Sequence, residues 1–151
     1  MKTLIIILFV FFFISCTQKS IPPEFVGTWT TEKVLVTVRT ESEKGKFMFA
    51  TDSALIKLII KRDKTADGFI GIAEFKNGTI KKNWGNPEKK GISYKIKCGS
   101  VGKFFSNDPL ENKEVEIWLG PLKGTIDAEL RYTEGGAYFP MAGMILTKGR
   151  N

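Results

Sequence analysis

The chain contains no histidine, and its absence removes the commonest general base, proton shuttle and metal ligand together. A Cys-x-x-Cys pair, a glycine-rich phosphate loop and a Gly-x-Ser-x-Gly turn are also absent from the sequence. An enzyme built from this chain would have to use carboxylates, lysine, tyrosine or serine. The composition therefore predicts a protein that is not an enzyme and that holds neither a cofactor nor a metal ion.

Cysteine is almost as scarce, with only Cys16 and Cys98 in the chain. A short basic start, an apolar run over residues 4–14 and a small residue before Cys16 are typical of a secretory signal peptide. Such a run spans roughly 16 Å as a helix, against about 30 Å of hydrocarbon. We therefore expect residues 1–15 to be removed, leaving a tether over residues 16–24 and one domain over residues 25–151.

The box that ends at Cys16 resembles a bacterial lipoprotein signal. That resemblance implies a diacylglycerol on the Cys16 sulfur, further acyl chains such as palmitate, and a place at the outer membrane of a bacterial cell envelope. Two or three acyl chains give a durable anchor, whereas one does not. The alternative is an ordinary secreted protein in which Cys16 is incidental. In the lipidated form Cys98 is left alone, and its alternation with Ile96 predicts a buried thiol.

Acidic residues are fewer than basic ones, so the chain carries a formal net charge of +7. A modestly basic surface is compatible with plain solvation, with anionic lipid headgroups or with an acidic ligand. Aromatic and basic residues do not alternate on a strand face in the way that nucleic-acid binding requires. We therefore expect no nucleic-acid partner.

Helical periodicity is missing, and short alternating segments separated by turn residues predict an all-β domain. Residues 29–39 and residues 53–61 each read as one strand, and Asn77-Gly78 reads as a tight hairpin turn. Residues 99–112 form the one long irregular segment. Eight or nine strands joined by short loops predict an antiparallel up-and-down β-barrel of about eight strands, because closure removes exposed edges. A β-sandwich is the alternative.

Gly27 and Trp29 stand at the head of the predicted barrel. A Gly-x-Trp at this place, in a domain of this length, resembles the lipocalin and fatty-acid-binding (calycin) superfamily, and the layout is similar to lipocalin-like lipoproteins of the Bacteroidetes type. The resemblance implies that Trp29 plugs the closed end of the barrel beneath a basic side chain from near the C-terminus. By position, Lys148 or Arg150 would supply that side chain.

An eight-stranded barrel either holds one small ligand or is filled by its own side chains, and composition leaves both open. Large residues on apparently inward faces would line a cavity for a flexible apolar ligand; these candidates are Phe69, Phe75, Leu130, Tyr132 and Met144. Phe104 and Phe105 are adjacent aromatics in the long irregular segment. They are predicted either to cap the mouth as a lid or contact surface, or to tuck into the rim.

The sequence thus predicts a membrane-anchored barrel that binds a small hydrophobic or amphipathic molecule. One alternative is a filled barrel that contacts an envelope protein or a polysaccharide without catalysis. A carboxylate-based hydrolase is less favoured, because most candidate carboxylates, such as Glu114 and Glu129, alternate with apolar residues and so face solvent. The tripeptide over residues 52–54 also matches a short O-glycosylation signal, which leaves its modification open.

Overall fold

A computed structural model describes residues 21–41, 44–82 and 94–149 of the chain. The predicted signal peptide and Cys16 lie outside the described residues. A short 3₁₀ turn at Pro23–Phe25 precedes ten strands. The strands are β1 (Gly27–Thr30), β2 (Val34–Glu41), β3 (Phe47–Ala54), β4 (Ile56–Ile60), β5 (Thr65–Ile70), β6 (Ala73–Lys82), β7 (Tyr94–Val101), β8 (Lys113–Lys123), β9 (Thr125–Glu134) and β10 (Ala137–Lys148). Among these residues no helix is long and apolar enough to cross a bilayer.

Eight of the ten strands close into one antiparallel barrel. Strands β4 to β10 follow one another around the wall in chain order, and β1 completes it by pairing with both β4 and β10. This is the predicted up-and-down barrel rather than a sandwich. Strand β1 has only four residues, and its pairing with β10 is limited to Trp29↔Lys148 and Thr30↔Thr147.

Strands β2 and β3 form a separate hairpin inserted between β1 and β4. The predicted single strand over residues 29–39 is therefore wrong, as is the one over residues 53–61, because each run crosses a point where the chain leaves or rejoins the barrel. Thr31 and Ile56 hold this junction together. The Thr31 amide donates to the Ile56 carbonyl at 3.0 Å, and the Ile56 amide donates to Thr31 Oγ1 at 3.1 Å.

The predicted hairpin turn at Asn77-Gly78 is also wrong, since both residues lie inside β6. Asn77 has a φ of +55°, and the β5–β6 register shifts opposite it, between Ala66 and Gly68. The positive φ that favours Asn before Gly in a turn is used here by a β-bulge. The real turn between β5 and β6 lies at Gly71 and Ile72.

Candidate functional site

The middle of the barrel is packed with its own side chains. Eleven of the described core residues, nine of them on the barrel strands, have 0% of their surface exposed: Val36, Val38, Ile56, Leu58, Ala66, Ile70, Ile96, Ile117, Ile126, Leu130 and Leu146. A side chain that lines a space large enough for water keeps accessible area facing that space. At these positions the barrel therefore has no water-sized cavity, and its packing is that of an ordinary protein core.

Four of the five predicted cavity residues do point inward. Phe75, Leu130, Tyr132 and Met144 are all buried, with at most 6% of their surface exposed. Phe69 is 41% exposed and lies on the outer face, so its assignment to the interior is wrong. The turn after Ile70 explains the error, because it resets the alternation between β5 and β6 and places residues of equal parity on opposite faces.

Trp29 closes the end of the barrel where the chain enters. Its indole Nε1 donates to the Phe25 carbonyl at 2.8 Å, and only 1% of the residue is exposed. Lys148 Nζ lies 5.6 Å from the Trp29 ring centroid and 3.3 Å from the Glu24 carbonyl. Gly27, at φ +135°, lets the Lys148 stem pass within 3.3 Å of where its Cβ would be. A basic side chain from near the C-terminus thus lies over the Trp29 ring; Arg150 lies outside the described residues.

The opposite end is closed by the loop over residues 102–112, which is folded around a buried ion pair. Lys113 Nζ lies 2.8 Å from Asp108 Oδ2, and their side chains are 3% and 0% exposed. The same ammonium donates to the carbonyls of Gly102 at 3.1 Å and Leu110 at 3.0 Å. Asp108 in turn accepts from the amides of Phe104 and Leu110. The pair is thus fully hydrogen-bonded, which a buried charge requires.

Phe104 and Phe105 tuck into the rim and are 1% and 5% exposed, so neither offers an exposed contact surface. The Phe104 carbonyl accepts a hydrogen bond from the Ile72 amide at 3.0 Å, which joins the loop to the β5–β6 turn. Gly71, at φ +60°, permits this approach, because a Cβ there would lie 2.1 Å from the Phe104 oxygen. The loop is therefore a fixed plug rather than an open lid.

Burial shifts the pKa values of two titratable side chains in the core, Cys98 and Tyr132. Burial raises the pKa of the Cys98 thiol far above its ordinary value, with a smaller contribution from Glu116. Burial also raises the pKa of Tyr132, whose hydroxyl donates to the Arg39 carbonyl on the inserted hairpin. A thiol in this state is neither a nucleophile nor a metal ligand at neutral pH. The predicted burial of Cys98 is confirmed.

Two depressions formed by described residues bear on binding, one beside the segment that leads into the inserted hairpin and one on the outer face of the wall. The larger is a groove of about 730 Å³ between the segment 32–34 and strands β9 and β10. Its lining includes Ala128 and Met144, which are buried on the inward side of those strands, so the groove reaches from the surface between the strands toward the core. Its rim residues Glu32, Lys33 and Asp127 are exposed, so the groove is open to solvent and not an enclosed compartment. It follows the line where β10 runs on past the short strand β1.

The smaller depression, which we call the outer cleft, has a volume of about 210 Å³. It lies on the outer face of β7 to β10, and its lining residues are Lys97, Glu114, Val115, Glu116, Thr133 and Tyr138. Tyr138 is 46% exposed and supplies an aromatic wall. Carboxylates, an ammonium and hydroxyls supply both acceptors and donors within one small volume.

Glu116 is held rigidly at the base of the outer cleft. Its Oε1 lies 3.5 Å from Lys95 Nζ and 3.8 Å from Lys97 Nζ, and its Oε2 accepts from Trp118 Nε1 at 2.9 Å. Only 8% of the Glu116 side chain is exposed. These contacts fix the carboxylate in position before any ligand arrives, which lowers the entropic cost of binding.

Trp118 links the outer cleft to a stack of side chains beside it. The Arg131 guanidinium lies 3.9 Å from the Trp118 ring centroid and 2.8 Å from Glu129 Oε2. Tyr138 meets the same indole edge-on, with ring centroids 5.9 Å apart. An aromatic wall that is braced in this way keeps its orientation.

The carboxylates that a hydrolase would need lie on the outer face of the barrel, as predicted. Glu116 differs from the others because its side chain is only 8% exposed. Its Oε1 faces Lys95 and Lys97 and its Oε2 accepts from the Trp118 indole, and each oxygen keeps a lone pair with which it can accept from a ligand hydroxyl. Among the described residues, no group of three or more Cys, Asp and Glu side chains could hold a metal ion. The outer cleft can bind a ligand through hydrogen bonds and an aromatic face.

No family model matches the chain, and neither a curated protein nor a solved structure matches it.

The outer cleft was not predicted from the sequence. One signal was present, since Glu116 and Trp118 stand two residues apart on the outward face of β8. The partners that complete the cleft, Lys97, Thr133 and Tyr138, come from three other strands. Their meeting depends on the β7–β8 and β9–β10 registers, which the sequence pattern does not fix.

Proposed function

We propose that this protein is a lipocalin-like bacterial lipoprotein, anchored to the cell envelope through Cys16, that acts as a non-enzymatic binding module. Its partner is bound on the outside of a filled barrel, and the observation that carries this is the complete burial of eleven core side chains, nine of them on the barrel strands. A carrier of the lipocalin kind needs an internal space of several hundred Å³. The packing therefore favours the filled-barrel alternative over ligand carriage.

The partner that suits the outer cleft best is a carbohydrate. A sugar ring combines an apolar face, which an aromatic side chain such as Tyr138 can cover, with hydroxyls that need donors and acceptors. Glu114, Glu116 and Lys97 supply both kinds of group at the walls of the cleft. The volume of about 210 Å³ is below the roughly 300–1,000 Å³ of pockets for drug-sized ligands. One unit of an envelope polysaccharide fits this size better than a long acyl chain.

Affinity electrophoresis tests this proposal. The full-length chain with Cys16→Ser is run through native gels that contain single polysaccharides, such as mannan, dextran or the polysaccharide extracted from the host envelope. We expect retardation by at least one of them, and loss of most of it in Tyr138→Ala. Phe69→Ala is the matched control, because Phe69 is similarly exposed but lies on β5.

Two results would count against the proposal. Equal retardation of Tyr138→Ala and Phe69→Ala would exclude the outer cleft as the binding site. A lipid that stays bound in native mass spectrometry and is released on denaturation would restore the interior-carrier hypothesis.

A further inference from the structure

The inserted hairpin exposes an unusual amount of apolar surface. Phe47, Met48 and Phe49 are consecutive on β3 and are 51%, 51% and 64% exposed. On β2 the residues Val36 and Val38 are fully buried, so that strand packs on the barrel while β3 stands away from it. A two-stranded hairpin alone is marginally stable in water.

Strand β3 also has a free edge. In the part of the chain that the structure describes, β3 pairs only with β2, in a regular ladder from Val34↔Ala54 to Glu41↔Phe47. Edge strands are normally protected by proline, a bulge or a charge pointing from the middle of the strand. Residues 47–51 contain none of these. The edge is therefore a template for a further strand.

The charges at the two ends of this edge indicate which strand would pair with it. Lys46 and Asp52 bracket the apolar segment at equal distances from Phe49. If two copies of β3 pair antiparallel about a two-fold axis at Phe49, Lys46 of each copy lies opposite Asp52 of the other. The same register places Phe49 opposite itself, where an aromatic pair stabilises a sheet.

We propose that this protein forms a symmetric dimer in which the β3 edges of two copies pair antiparallel, centred on Phe49, to give a four-stranded sheet. The pairing sets the exposed apolar side chains of the two copies side by side across the new ladder and satisfies the free backbone groups of both edges. The contact is isologous, so it closes at two copies and does not propagate. This inference concerns the hairpin and is independent of the carbohydrate proposal for the outer cleft.

Disulfide trapping in native membranes tests the register directly. Paired residues in an antiparallel sheet have Cα atoms about 5 Å apart, which a disulfide can bridge. We expect the full chain with Phe49→Cys to form a cross-linked dimer on mild oxidation. With Thr51→Cys the two thiols are offset by about 13 Å along the strands, so that variant should cross-link at least fivefold less. Phe69→Cys, on the barrel wall, is the control for random collision.

Charge reversal supplies a second readout. Added to Phe49→Cys, Asp52→Lys sets two lysines opposite each other and should lower the dimer yield at least threefold. Adding Lys46→Asp as well restores opposite charges in the same register and should restore the yield.

Four results would overturn the proposal. They are a Phe49→Cys yield no higher than that of Phe69→Cys, an equal yield for Thr51→Cys, no recovery in the charge-swapped variant, and cross-linking of Phe49→Cys to a different protein.

Discussion

The buried ion pair between Lys113 and Asp108 is expected to be among the most costly contacts in the molecule to break. Replacing Lys113 with Met keeps most of the side-chain volume but removes the ammonium that lies 2.8 Å from the Asp108 carboxylate. That carboxylate is 0% exposed and cannot turn to water. Removing one partner of such a pair costs about 3–5 kcal/mol. A domain of this kind has roughly 5–15 kcal/mol in total, so the loss is a large fraction of its stability.

Urea unfolding followed by tryptophan fluorescence measures this free energy. Lys103→Met is the matched control, because the Lys103–Glu111 pair lies in the same loop at 3.1 Å but its side chains are 39% and 66% exposed. An exposed pair contributes about 0–1 kcal/mol. The reasoning is refuted if Lys113→Met unfolds within about 1 kcal/mol of the wild type, since the buried-pair estimate is about 3–5, or if the two variants lose the same amount.

A double variant separates the charge from the packing. Asp108→Asn with Lys113→Met removes both charges, while the new side-chain amide oxygen can still accept from the backbone amide of Phe104 or Leu110. We expect the double variant to be at least about 1 kcal/mol more stable than Lys113→Met alone, within the range of coupling energies between contacting residues. If it is less stable instead, the cost in Lys113→Met does not come from an unpaired buried charge.

Three further predictions follow from the described residues and the anchor. Ala66→Leu should destabilise the fold by about 1–3 kcal/mol in urea, because a filled barrel has no room for the added atoms; a neutral effect would indicate a hollow interior. Burial raises the pKa of the Cys98 thiol, so Ellman's reagent should react with it only when urea unfolds the chain, and fast labelling of the native form between pH 7 and 9 would contradict this. An alkyne analogue of palmitate should label the chain in cells and fail to label Cys16→Ser; labelling of both would place the acyl group elsewhere.

Strand alternation predicted the interior well where strands are regular. Leu130 and Tyr132 alternate with charged residues on β9, and the barrel wall leaves only one dry face for each strand. The same pattern failed for Phe69, because alternation carries no information about where a turn restarts it. The fold class therefore followed from the sequence, whereas the facing of individual residues depended on turns that were placed wrongly.

The hairpin was hidden for a related reason. A chain that bends out of a sheet at Thr31 and returns at Ile56 keeps its β-type composition, so each run reads as one strand. At Asn77-Gly78 the opposite error occurred: a turn was predicted where the strand continues. A β-bulge and a tight turn both need a positive φ, so the same residue pair suits either. One feature of the sequence did indicate the plug, the loop over residues 102–112. Lys113 stands two residues before Val115, so strand alternation places this lysine on the inward face of β8. A lysine on that face needs a buried partner, and Asp108 in the adjacent loop provides it.

The question that decides function is whether the barrel is hollow, and strand patterns alone do not answer it. Several of the side chains that close this barrel lie outside its strands: Phe25 comes from the entry turn, Phe104 and Phe105 from the plug, and Val38 from the inserted hairpin. Each is buried, and none belongs to the alternating pattern from which a cavity was inferred. Because non-barrel segments contribute buried side chains at both ends of the barrel, the packing supports our proposal that recognition takes place on the outer surface. There the outer cleft and the β3 edge combine binding groups with access to a partner.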